Sequence, residues 1–157
     1  MLAGFVPFPP EFAKKYRDKG YWRDKPLRDE YVELFARYGD RVALIDGDIQ
    51  LTYRELDRLS TNLALNLLDA GVKSLDRIVP QLPNVKEFAI LYLALQKIGA
   101  IPIAALVTHR YGEISQFVQL AGATTCVVPD ASRGFDFPAM AARIKDESPT
   151  LKHILVL

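Results

Sequence analysis

Downstream of Gly71 short β-rich runs alternate with longer stretches whose apolar residues recur at helical spacing, and this alternation limits the fold more than any other feature. Residues 77–82, 101–106, 124–128 and 153–157 read as strands. Between them, Val85, Phe88, Leu91, Tyr92, Leu95 and Ile98 trace one helix that Gly99 ends, with Asn84 and Glu87 as its expected cap. Ile114, Phe117, Val118 and Ala121 trace a second, starting at Glu113 and stopped by Gly122. Met140, Ala141 and Ile144 mark a third over 137–145. Strand, helix, strand at these lengths predicts right-handed βαβ units and an α/β fold, part of a doubly wound, mostly parallel sheet with flanking helices. The run 101–106 is apolar enough to be buried on both faces, as parallel strands are. Pro80 cannot donate to a ladder, so it predicts a bulge or a strand that begins after it.

Upstream of Gly71 the pattern differs. Residues 42–45 and 49–51 flank Asp46-Gly47-Asp48, where Gly47 can take the positive φ of a tight hairpin turn. Thr52 and Glu55 then form a capping box, and Leu56, Leu59, Leu63 and Leu67 follow as one helical stripe closed by Gly71. Leu27, Tyr31, Leu34, Phe35 and Tyr38 predict an earlier helix ending at Gly39. Residues 11–19 suggest a short polar helix in an N-terminal arm that docks aromatics such as Phe12 and Tyr16 onto the body. The expected organisation is an arm and helix over 1–40 packing on the first part of a large α/β domain over 41–157.

Composition removes several classes of function. The formal net charge is +1 and half of the residues are hydrophobic, which gives no basic excess for nucleic acid. The apolar run 88–95 is far below the roughly 18 to 20 residues needed to cross a bilayer. The opening MLAGFVPFPPEF has prolines and no basic start, unlike a signal peptide, so a cytoplasmic location is expected. One cysteine, Cys126, excludes an internal disulfide, and two histidines, His109 and His153, make a dedicated metal centre unexpected. The run HILVL at 153–157 expects strand neighbours and covering helices, so the chain reads as a truncated piece whose exposed sheet edge would promote self-association.

Few residues invite chemistry. The nine glycines are dispersed, with no two closer than Gly39 and Gly47, so no phosphate-cradling glycine loop occurs. His109-Arg110 follows the run 101–106, and loops at the carboxyl ends of parallel strands are where open α/β sheets place ligands. The plainer reading has Thr108 and His109 capping a helix while Arg110 pairs with Glu113. Cys126 sits in a predicted buried strand and reads as a small hydrophobe. Asp46 and Asp48 read as turn chemistry around Gly47.

Several stretches resemble one known family. LTYREL at 51–56 and LQKIGAIPIAAL at 95–106 are similar to signature segments of the adenylate-forming superfamily, which activates carboxylic acids as acyl-adenylates. The leader FPPEFAKKYRDKGYWRDKPL at 8–27 resembles its aryl-acid AMP ligases, the 2,3-dihydroxybenzoate-AMP ligase type of siderophore biosynthesis. QLPN at 81–84 and His109-Arg110 also fit, although LVTHR at 106–110 lacks the proline that subgroup often has there. The resemblance implies ATP and magnesium as cofactors, an aryl acid such as 2,3-dihydroxybenzoate or salicylate as substrate, and a phosphopantetheine-bearing aryl carrier protein as partner. It also implies that the phosphate loop, the acyl pocket and the C-terminal-domain lysine have no matching positions here. No catalytic, cofactor-binding or metal residue is therefore assigned, and residues 1–157 alone are expected to be inactive and to bind no cofactor tightly. An amino-acid-adenylating domain, an acyl-CoA ligase or a non-catalytic α/β scaffold are the alternatives.

Overall fold

A computed structural model describes residues 6–132 and 134–157. The opening run 1–5, part of the stretch read above as no signal peptide, lies outside the described residues. Among the described residues six helices and eight strands follow in the order α1 (Pro10–Asp18), α2 (Leu27–Tyr38), β1 (Val42–Asp46), β2 (Ile49–Thr52), α3 (Tyr53–Asp69), β3 (Arg77–Pro80), α4 (Lys86–Ile98), β4 (Ile101–Pro102), α5 (Tyr111–Ala121), β5 (Thr125–Val128), β6 (Ala131–Ser132), β7 (Phe135–Asp136), α6 (Phe137–Glu147) and β8 (His153–Val156).

The centre is a parallel sheet in the order β4-β3-β5-β8. Side chains alternate across its plane. Ile78, Val127 and Leu155 face one cluster with Leu67 of α3 and Leu91 and Leu95 of α4. Val79, Cys126 and Val128 face the other, with Ile114 and Val118 of α5 and Phe137, Met140 and Ile144 of α6. Helices thus cover both faces. A third, smaller cluster joins Phe35 of α2 and Leu56 of α3 to Leu93 on α4.

The hairpin β1–β2 turns at Gly47, whose φ of 57° is the left-handed value the turn needs. The capping box forms as read. Glu55 N–H donates to Thr52 Oγ1 at 3.2 Å, while Glu55 Oε2 accepts from Thr52 N–H and from the Thr52 hydroxyl, both at 2.8 Å, and the two bonds to the carboxylate hold it below its usual range.

Three expectations need correction, each for a tertiary reason. Asn84 and Glu87 do not cap α4. Its Lys86 N–H donates instead to Asp46 Oδ2 at 2.9 Å, so a carboxylate from the hairpin sits at the positive end of the helix dipole. The run 101–106 is an edge, with Ala104 and Leu106 exposed, rather than a strand buried on both faces. Pro80 neither bulges nor precedes its strand, since it ends β3 between two neighbours. Ile103 N–H donates to Ile78 O at 2.7 Å and Ala105 N–H to Pro80 O at 3.0 Å. The ladder bond between those two, from residue 80 to the Ile103 carbonyl, is the one a proline cannot make, and regular pairing of β4 stops at Pro102. β8 is likewise an edge, half-buried at His153, Ile154 and Leu155 and exposed at Val156.

The arm also behaves differently. Its aromatics pack on each other: the Phe8 ring lies 5.0 Å from Trp22 and 5.9 Å from Tyr16, and Arg17 stacks over Trp22. None of these residues joins the three buried clusters, and Phe12 and Tyr21 remain exposed. A helix with only Ala13 buried offers the core too little apolar surface to dock on.

Candidate functional site at the carboxyl end of the sheet

β3 and β5 are neighbours, but the chain leaves them toward opposite faces. After β3 it enters α4, packed on the Ile78 side. After β5 it passes through the β6–β7 ribbon into α6, packed on the Val79 side. The crevice between their carboxyl ends is a topological switch point, the usual place for a ligand in an open α/β sheet.

Gln81 stands at the floor of this crevice. Its N–H donates to Val127 O at 2.8 Å, continuing the β3–β5 ladder by one residue. Its side chain is fully buried, and Nε2 donates to two carbonyls of the next loop, Leu106 O at 3.0 Å and His109 O at 2.9 Å. Its Oε1 is buried and has no partner among the described residues.

The loop so held carries His109 and Arg110. The His109 N–H donates to Leu106 O at 3.0 Å, and its Nδ1 accepts from Leu106 N–H at 3.3 Å, which leaves the ring proton on Nε2. Its ring meets Phe117 edge-on at 5.4 Å. Arg110 is the residue that caps α5, a place expected for Thr108 and His109, and the helix starts at Tyr111 rather than Glu113. Glu113 does turn toward Arg110, but to its backbone: Oε2 accepts from Arg110 N–H at 3.0 Å, which holds the Glu113 carboxyl below its usual range. The expected side-chain ion pair between the two is absent among the described residues. The guanidinium instead donates through Nη1 to Val107 O at 2.7 Å and His109 O at 2.9 Å, and lies 4.2 Å from the Phe135 ring centre and 5.6 Å from that of Phe137. A planar cation stacked on aromatic faces and tethered at one nitrogen is held in a fixed orientation.

Beside the loop runs an apolar groove of about 390 Å³ lined by Leu82, Pro83, Phe88, Ala105, Leu106 and Val107. Other reactive groups lie apart. Cys126 is fully buried and its thiol is pushed up to about 12 by desolvation, which removes it as a nucleophile. Asp46 is committed to the α4 terminus. Among the described residues no three of His, Cys, Asp and Glu gather to hold a metal, and no helix is long and apolar enough to cross a membrane. The site offers hydrogen-bond donors and an apolar wall without an activated nucleophile or base.

Sequence reasoning passed over Gln81 and Phe135. The signal for Gln81 was present, a single amide inside the apolar run IVPQL. Phe135 gave none, because its role depends on a loop remote in sequence.

The AMP-binding enzyme family model matches residues 32–157. The 2,3-dihydroxybenzoate-AMP ligase of Bacillus subtilis is 42% identical over 156 residues, 99% of this chain and 29% of the relative. A salicyl-AMP ligase / salicyl-S-ArCP synthetase of Mycobacterium tuberculosis is 39% identical over 99% of this chain and 28% of its own length. Among solved structures, apo MbtA of Mycobacterium smegmatis superposes with a TM-score of 0.90 at 38% identity, over 98% of this chain and 28% of that one. The chain thus spans less than a third of the length of these relatives.

Proposed function

The chain belongs to the AMP-binding enzyme family, and from that membership we propose that it is part of an aryl-acid AMP ligase. In this reading the intact enzyme bonds a carboxylate oxygen of 2,3-dihydroxybenzoate or salicylate to the α-phosphorus of ATP as pyrophosphate leaves. The phosphopantetheine thiol of an aryl carrier protein then loses its proton and attacks the acyl carbon, forming a thioester as the acyl–oxygen bond to AMP breaks and AMP leaves, in cytoplasmic siderophore biosynthesis. The observation that carries the reading is that 99% of this chain, leader included, matches less than a third of the length of aryl-acid AMP ligases at 39–42% identity. Residues 41–157 are assigned to the first part of the large N-terminal domain, with α2 packed on it through Phe35 and the arm before α2 packed mainly on itself. Within this stretch the His109–Arg110 turn forms the rim of the ligand crevice, and no residue acts as nucleophile or base. The described residues offer no cluster that fits magnesium, which in this reading arrives with ATP.

The test is acid-dependent exchange of labelled pyrophosphate into ATP, offered 2,3-dihydroxybenzoate, salicylate, a fatty acid and phenylalanine. The full-length protein should respond to the aryl acids alone, and residues 1–157 should stay at background. A response to the fatty acid or to phenylalanine would replace this reading with an acyl-CoA ligase or an amino-acid-adenylating domain. Turnover by residues 1–157 would bring the chemistry into this stretch.

We also propose that residues 1–157 on their own self-associate. Among the described residues nothing pairs with the outer edge of β8, and beside it Leu59, Leu63, Ile90, Leu155 and Val156 line an open apolar groove of about 390 Å³. Sedimentation velocity should show mass rising with concentration, and a monomer throughout the soluble range would reject the idea.

A further inference from the structure

We propose that Gln81 is a positioning residue that locks the His109–Arg110 turn at the rim of the ligand crevice, an inference that rests on the ligase reading for the identity of the ligand. Three observations carry it. First, both N–H groups of the Gln81 amide are spent on carbonyls of one loop, Leu106 and His109, which lie 25 and 28 residues further along the chain. Second, the same side chain is fully buried while its Oε1 finds no partner among the described residues. A buried acceptor without a donor is destabilising, and an apolar side chain of the same shape would avoid that loss at the end of an apolar strand. The amide is therefore better explained by what it holds than by what it adds to the core. Third, the rest of the turn is tied in the same way: the carbonyls of Val107 and His109 accept from Arg110 Nη1, and the guanidinium rests on Phe135. Exposed loops are ordinarily the mobile parts of a fold. This one is fixed to β3 by Gln81 and to the β7 side by Arg110, so its remaining donors stay at a constant place beside the switch point.

Hydrogen exchange on residues 1–157 tests the lock directly. In the unmodified chain the Gln81 side-chain amide protons should exchange about tenfold more slowly than those of exposed Gln50. In Gln81→Met, of similar length and without polar atoms, the backbone amides of His109 and Arg110 should exchange about tenfold faster while the midpoint of urea unfolding hardly moves. Unprotected Gln81 side-chain protons in the unmodified chain would overturn the proposal without any variant. So would a Gln81→Met chain that keeps the turn protected, or one that loses global stability in step with it. In the full-length protein the same substitution should raise KM for the aryl acid about fivefold with kcat little changed, the pattern of lost ligand binding. A fall in kcat alone would contradict a rim position. If the unmodified full-length protein shows no aryl-acid-dependent exchange, the ligase reading fails, and the protection data still decide whether Gln81 holds the turn.

Discussion

Phe137→Ala is expected to destabilise the fold by about 4 kcal/mol, the largest single effect of any substitution considered. Phe137 is 1% exposed and opens α6, where it fills the space between the sheet and α5. Asp136 fixes that helix start, its Oδ1 accepting from Ala139 N–H at 2.8 Å, so the backbone cannot easily follow a smaller side chain inward. The loss therefore includes a cavity as well as the transfer of a ring. Phe135 also loses its edge-to-face partner at 4.9 Å, and Arg110 one of its two aromatic supports. Against a typical domain stability of roughly 5–15 kcal/mol, such a loss would leave much of the population unfolded at moderate urea. Urea unfolding followed by circular dichroism should show a large drop in midpoint, with Phe137→Leu clearly milder. A loss under about 1 kcal/mol would mean that the α6 face repacks freely, contrary to the close packing expected of an interior.

Lys97→Ala should follow at about 2 kcal/mol. Lys97 is a surface residue by type but a clamp by position. Its Nζ donates to Asp57 O at 2.8 Å, Asp57 Oδ1 at 2.6 Å and Thr61 Oγ1 at 2.7 Å, which joins α4 to α3, and it lies 5.4 Å from the Phe35 ring of α2. Its side chain is 18% exposed, so water competes poorly for the ammonium. By contrast Lys14 and Asp18 pair at 76% and 59% exposure, and breaking that pair should change stability by less than about 1 kcal/mol. Lys97→Met separates charge from packing, since it keeps an unbranched apolar side chain and removes the ammonium that contacts Asp57, Thr61 and the Phe35 ring. Thermal unfolding at low and high salt is the check: the Lys97 effect should persist in salt, because partly buried pairs are screened less. An effect that vanished in salt would make Lys97 an ordinary surface cation.

Local pattern carried the fold a long way. The alternation after Gly71 predicts the parallel sheet because strand and helix periodicities are properties of consecutive residues, and the Thr52–Glu55 box closes within one turn of chain. The same locality explains each error. Asn84 and Glu87 have the chemistry of a cap, but Asp46, forty residues earlier, reaches the helix end first. Nothing near Ile101 says whether its strand will be central or at an edge, since that depends on which strands settle beside it.

Of the site, His109 and Arg110 could be singled out because they follow a strand whose carboxyl end is a usual ligand position. Their surroundings could not. Arg110 meets Glu113 through the backbone and gives its guanidinium to two carbonyls and two rings, one of them 25 residues away, because aromatic stacking and two adjacent carbonyls hold a planar cation better than an exposed carboxylate does. By itself the sequence determined which segments are strands and helices, that they form an α/β sheet, and which family the chain resembles, all of which follow from the order and spacing of neighbouring residues. Only the tertiary structure decided that β3 is central, that Pro80 places its missing N–H against an edge, and that Gln81 is buried at the switch point with its amide turned to the loop beside it. Those outcomes depend on which distant groups compete for the same hydrogen bond, and that competition takes place only when the chain is folded.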